Sequence, residues 1–95
     1  MKNRLSSLGL CYRARKISLG TDTVIDGMRT KKVSLVFLAN DSSPGTIKKI
    51  TDKAKFYNIE VDQSFNTIEL SKAVGKSNRK VLGVLDKGFA KLLRK

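Results

Sequence analysis

Apolar residues along this 95-residue chain follow two periods that alternate from one end to the other. Leu5, Leu8 and Tyr12 fall on one face of a 3.6-residue repeat, with Gly9 and Cys11 close by, and predict an amphipathic helix over residues 3–14. Ile17 to Leu19 has the length of a short strand. Gly20-Thr21-Asp22 then offers a turn and an N-cap for a second helix that carries Val24, Ile25 and Met28. Gly27 weakens that helix by about 1 kcal/mol relative to Ala, so its presence implies close packing there. Val33 to Ala39 is the clearest strand, a β-branched and aliphatic run suited to a central position covered on both faces.

The same alternation continues to the end of the chain. Ser43 as N-cap and Pro44 at the first helical position open a third helix with a buried stripe of Ile47, Ile50, Ala54 and Tyr57. Lys48, Lys49, Lys53 and Lys55 lie off that stripe. Ile59 to Val61 supplies another strand, and Asn66 or Thr67 opens a fourth helix with Leu70, Ala73 and Val74, closed by Gly75 just past its end. Lys76 to Lys80 is a basic loop, Val81 to Leu85 a last apolar strand and Gly88 to Leu93 a short final helix. With no linker or internal repeat, this order predicts an α/β fold layered about one sheet, and the length suits a single domain over residues 1–95.

Charge sharpens the picture more than composition does. Twenty Lys and Arg face 8 Asp and Glu, a formal charge of +12 spread from Lys2 to Lys95 and sparing mainly Glu60 to Leu70. A compact domain so charged repels itself, and phosphate on one face would relieve that repulsion, so nucleic acid is the expected partner. The longest apolar run, Leu35 to Ala39, falls far short of the roughly 20 residues of a membrane span, and Met1 to Leu10 lacks the apolar centre of a signal peptide. A cytoplasmic protein without membrane contact is expected. One Cys and no His exclude an internal disulfide and the usual zinc sites, and no cofactor is expected. Cys11 reads as a small buried helix residue, although Arg13, Arg15 and Lys16 would favour a thiolate there.

Four blocks carry a family resemblance over nearly the whole chain. Leu8-Gly9-Leu10 with Arg13-Ala14, Lys16 and Gly20 forms the first, and Leu38-Ala39-Asn40-Asp41-Ser42 the second. Glu69-Leu70 with Ala73-Val74-Gly75-Lys76, and Asp86-Lys87-Gly88-Phe89-Ala90, complete the set. In order and spacing the chain resembles the kink-turn-binding ribosomal-protein family of the L-seven-Ae type, in its small bacterial YlxQ-like branch. The resemblance implies a three-layer α/β/α sandwich around a four-stranded mixed sheet, acting as a ribosomal or ribosome-associated ribonucleoprotein component.

By the same resemblance, three adjacent loops at one end of the sheet bind RNA. Here these are Gly20-Thr21-Asp22-Thr23, Asn40-Asp41, and Lys76-Ser77-Asn78-Arg79-Lys80, with Lys16 counted beside them. The chemistry agrees, because a helix N-terminus presents unpaired amides to phosphate, Gly20 permits close approach, and Arg79 can stack on a splayed base. Strong kink-turn binders carry Asn-Glu at the positions of Asp22-Thr23, Lys at Asp26 and an apolar last loop. Asp22 accepts hydrogen bonds but cannot donate, Thr23 is shorter than Glu, and Asp26 repels phosphate, so weakened reading of sheared G·A pairs is expected. Arg15 stands where the branch often has Gly.

Two other function classes compete. An enzyme would have to gather Asp22, Asp26 and Asp41 around Mg²⁺, but the missing His, the lone Cys and the absence of a Gly-rich nucleotide loop argue against catalysis. A basic protein-interaction adaptor or assembly factor would need no RNA readout. Spacing places Tyr12, Phe37, Phe56, Tyr57, Phe65 and Phe89 in the core, with Phe65 the one that could be exposed before a helix. A monomer that contacts RNA, with ribosomal proteins as neighbours, is the expected state.

Overall fold

The computed structural model describes residues 4–94. In chain order they form α1 (Arg4–Arg13), β1 (Ile17–Leu19), α2 (Thr21–Arg29), β2 (Leu35–Leu38), α3 (Pro44–Phe56), β3 (Glu60–Asp62), α4 (Thr67–Ala73), β4 (Val81–Val84) and α5 (Lys87–Leu93). The sheet order is β1-β4-β2-β3. β4 runs antiparallel to both neighbours, Ile17 facing Val84 on one side and Leu35 facing the same Val84 on the other, while β2 and β3 are parallel. Alternation along β2 divides the core. Leu35 and Phe37 pack with Leu8, Cys11, Leu70 and Leu93 beneath α1, α4 and α5, whereas Val36 and Leu38 pack with Val24, Met28, Ile50 and Ala54 beneath α2 and α3. The mixed-sheet α/β/α sandwich is therefore the observed architecture.

Several ends differ from the sequence pattern. The central strand is shorter than Val33 to Ala39, because the Val33 amide bonds to the Gly27 carbonyl in the turn leaving α2 and joins no ladder. Asn66 caps α4 through a reciprocal box with Glu69. α5 begins at Lys87, one residue before Gly88, because the Asp86 carboxylate accepts from the Phe89 amide at 3.0 Å. Ser43 caps α3 as expected, accepting from the Thr46 amide at 3.3 Å.

Helices α1 to α4 share one ending. The amides of Lys16, Lys32, Ile59 and Lys76 reach back to the carbonyls of Cys11, Gly27, Ala54 and Ser71 at 2.7–3.0 Å, and the residues just before them are left-handed. Those residues are Arg15 (φ 62°), Lys31 (φ 63°), Asn58 (φ 59°) and Gly75 (φ 69°). Arg15 thus occupies a position that glycine adopts without steric cost, and a side chain there costs about 1–2 kcal/mol. Cys11 is buried in this ending, its thiol donating to the Lys16 carbonyl at 3.5 Å. Burial, reinforced by Asp86 and opposed by Lys16, pushes its pKa up to about 11 and keeps it a neutral thiol.

Close packing fixes two glycines. A Cβ on Gly27 would lie 2.5 Å from Val33 Cγ2, and one on Gly9 would lie 2.7 Å from the Ala73 carbonyl oxygen, where α1 crosses α4. Gly9→Ala should destabilise the protein by about 1–2 kcal/mol, because overpacking against backbone exceeds the gain of about 1 kcal/mol in helix propensity. Gly45→Ala meets nothing within 4 Å and should stabilise by about 0.5 kcal/mol. Urea midpoints check both, and an unchanged midpoint for Gly9→Ala would contradict the close crossing.

Candidate nucleic-acid interface

The strand directions carry the exits of β1, β2 and β3 and the entry to β4 to one end of the sheet. Backbone bonds fasten the turns there: the Gly20 amide donates to the Val81 carbonyl at 3.1 Å, and the Ala39 amide to the Lys80 carbonyl at 2.8 Å. The Asn40 amide donates to the Phe65 carbonyl at 3.0 Å, and its side chain donates to the Gln63 carbonyl at 3.3 Å. Gly20-Thr21-Asp22-Thr23, Asn40-Asp41 and Lys80 are thus brought together.

The α2 terminus has an open character. Gly20 itself is the N-cap, at φ 98° and ψ 150°, and no side chain caps the helix, so Thr21 and Asp22 lie inside the helix and do not cap it. Helix geometry leaves the amides of Thr21, Asp22 and Thr23 without intrahelical acceptors. Nothing lies within 4 Å of where a Gly20 Cβ would stand, so conformation and not crowding demands glycine there. α3 and α4 begin at the same end, and their dipoles add positive potential to it.

Side-chain charge at this end is balanced. Asp22 pairs with Lys49 at 3.4 Å, a residue of α3 that the sequence pattern marked only as lying off the buried stripe. Asp41 Oδ1 accepts from the Thr67 amide at 2.9 Å and the Thr67 hydroxyl at 2.6 Å, and Lys80 Nζ donates to the same hydroxyl at 3.0 Å. The hydroxyl bond from Thr67 first, then its amide and the Lys80 charge, hold the Asp41 carboxyl below its ordinary value despite some desolvation. The carboxylates of the enzymatic alternative do not converge: Asp22 faces Lys49, Asp26 pairs with Arg29, and Asp41 holds Thr67.

Other predicted residues fall elsewhere. Lys16 precedes β1 and its carbonyl accepts from the Leu85 amide at 2.8 Å, which places it at the opposite end of the sheet. The loop over residues 76–80 spreads its side chains over several neighbours. Lys76 Nζ lies 6.0 Å from the Tyr12 ring centroid against α1, and Ser77 and Asn78 border a groove beside α4. Arg79 is half-buried, its amide donating to the Ser71 hydroxyl at 2.7 Å. Phe65 packs on Phe37 at 6.2 Å, beneath the Arg4 guanidinium, which also pairs with Asp62. Burial raises the Asp62 carboxyl, but the Ser64 amide and Arg4 more than offset this and keep it ionised.

The model of the Ribosomal protein L7Ae/L30e/S12e/Gadd45 family matches residues 4–94. The chain belongs to that family. It is 39% identical to the RNA-binding protein YlxQ of Enterococcus faecium over 87 residues, 92% of this chain and 84% of that one. The RNA-binding protein YlxQ of Bacillus subtilis (strain 168) is 41% identical over 86 residues, covering 90% and 86% of the two chains. A solved structure of a protein with unknown function from Bacillus halodurans C superposes with a TM-score of 0.93 at 39% identity, covering 98% of this chain and 94% of that one. The Giardia lamblia 15.5kD RNA binding protein shares the fold with a TM-score of 0.83 at 14% identity, over 94% and 77% of the chains. Among the described residues, no helix is long and apolar enough to cross a membrane.

Asp41 makes this end sensitive to acid. A carboxyl whose folded pKa is depressed adds stability that is present above its unfolded value and is lost as pH falls through the folded value. Asp41→Asn should therefore be less stable than the parent near pH 7, and the difference should shrink only as the pH falls below the ordinary carboxyl range. Thermal midpoints of both proteins against pH check this; a constant difference would show that Asp41 acts by shape alone.

Proposed function

We propose that this protein binds structured RNA, a kink-turn-like or ribosomal RNA element, through the turns at the ends of β1 and β2 and the entry to β4. The observation that carries the reading is the convergence of the uncapped α2 terminus with the Asn40 and Lys80 turns at one sheet end. Exposed amides there can receive a phosphate, and Gly20 lets the backbone of the RNA come close. Membership of the family and the RNA-binding relatives support the same ligand class. The protein acts as a non-catalytic, ribosome-associated component in the cytoplasm, with ribosomal proteins as neighbours.

Backbone dipoles add to the cationic side chains at this end, where Asp22 and Asp41 offset part of the charge of Lys49 and Lys80. Thr23 and Asp26 are both exposed on α2, and Asp26 already binds Arg29. Affinity for folded RNA should fall steeply with salt, by a slope of about 0.7–0.9 per phosphate neutralised, and should exceed affinity for duplex DNA. Filter binding across a salt series measures this. A flat response, or equal affinity for both nucleic acids, would favour the adaptor reading.

Selectivity gives a sharper test. Thr23→Glu combined with Asp26→Lys restores the residue types of strong kink-turn binders, and should raise affinity for a standard kink-turn at least several-fold more than for a simple bulged helix. Equal gains would reveal only a charge effect, and no gain would place the RNA away from α2.

A further inference from the structure

The opposite end of the sheet holds a groove that the loops above leave unused. Its cavity of about 560 Å³ lies between the turn after α2, the turn after α3, and α5. Lys31, Lys87, Lys91 and Arg94 line it together with Tyr57, over an apolar floor that includes Met28. Arg94 pairs with Glu60 at 3.1 Å, but among the described residues Lys31, Lys87 and Lys91 have no ion-pair partner.

Helix dipoles account for only part of this charge. Cations at a helix C-terminus are favourable, which covers Arg29 and Lys31 at the end of α2 and Lys91 in the last turn of α5. Lys87 is the exception, since it sits in the first turn of α5, where the dipole disfavours a cation. A local penalty of that kind beside other unpaired cations is expected where function overrides local preference. An aromatic pair adjoins it. Phe56 is 79% exposed, against the expectation that its spacing placed it in the core, and its ring meets Tyr57 edge-on at 4.9 Å. A bare aromatic beside unpaired cations has the composition of a surface on which unstacked bases are held.

We propose that this cationic groove, with Phe56 and Tyr57 at its side, is a second RNA-contact surface that holds a single-stranded segment: Lys31, Lys87 and Lys91 take phosphates and Phe56 stacks a base. The inference rests on the RNA-binding reading for its ligand class and shares no residue with the loop site. A protein holding a folded element at one pole and its single-stranded flank at the other would follow.

The test uses the full chain and a 12-nucleotide oligouridylate, read by fluorescence anisotropy and amide NMR shifts. Lys87→Gln with Lys91→Gln should weaken binding at least fivefold and lower the salt slope by about 1.4, the value for two phosphates on a single strand. Phe56→Ala should also weaken binding about fivefold, with the slope unchanged. Lys48→Gln with Lys72→Gln removes the same charge from other exposed positions and should change affinity less than twofold. Amide spectra of each variant verify its fold. Equal losses in the two lysine pairs, no binding of the oligouridylate, or shifts confined to residues 20–23, 40–41 and 79–80 would overturn the proposal. Capture of an acidic peptide in the groove without oligouridylate would do so too, and would assign it to protein. Folded RNA measured on the same samples reports separately on the loop site, whose failure would leave its own shifts absent.

Discussion

Insertion of β4 between β1 and β2 is the constraint from which the arrangement of the molecule follows. β4 runs against both neighbours, so the turn leaving β1, the turn leaving β2 and the segment entering β4 must meet at one edge. The Gly20–Val81 and Ala39–Lys80 backbone bonds extend that ladder past the strands and fix the turns to each other. Loops so anchored present their amides at little entropic cost on binding. Gly83, in the middle of β4, contributes by leaving room for Val33 and Val24, whose methyl groups would lie 2.9 and 3.3 Å from an added Cβ.

The same topology gives the two ends different electrostatics. α2 and α3 start at the loop end and finish at the other, so their positive dipole ends face the loops and their negative ends face the groove. At the loop end, carboxylates offset part of the lysine charge and the backbone adds to the potential. At the groove end, side chains supply it, through residues that finish helices and through α5. A net charge of +12 therefore attracts polyanions to both ends by different means.

Polar contacts, partly buried, hold the loop end in one conformation. Arg4 joins the start of α1 to the end of β3 through Asp62, covers Phe65 and Phe37, and donates to the Leu93 carbonyl at 3.1 Å. Asp41, Thr67 and Lys80 tie the turn after β2 to the start of α4 and the start of β4. Removing Arg4 would leave the buried Asp62 carboxylate without its cation, which is why that contact fixes a single arrangement. Asp41 and Lys80 are thus positioned by the fold before any ligand arrives.

Local chemistry determined the element types, because apolar periodicity, the Ser43 cap, Pro44 and Gly75 each act within a few residues of themselves. The sandwich was legible from the four sequence blocks, and Gly27 correctly signalled a close neighbour, Val33. Which charges pair was not legible. Lys49 reaches Asp22 across 27 positions and Lys80 reaches Thr67 across 13, distances that only the strand order closes. The family resemblance counts Lys16 beside the loops, yet the three residues of β1 carry Lys16 and Gly20 to opposite ends of the sheet. Phe56 was expected in the core from its spacing, but α3 turns it to solvent because Ile50 and Ala54 already fill the face toward the sheet. Sequence encodes what each residue prefers within a turn or two of itself; the end of the sheet at which it stands, and the charge it meets there, are decided by packing between segments far apart in the chain.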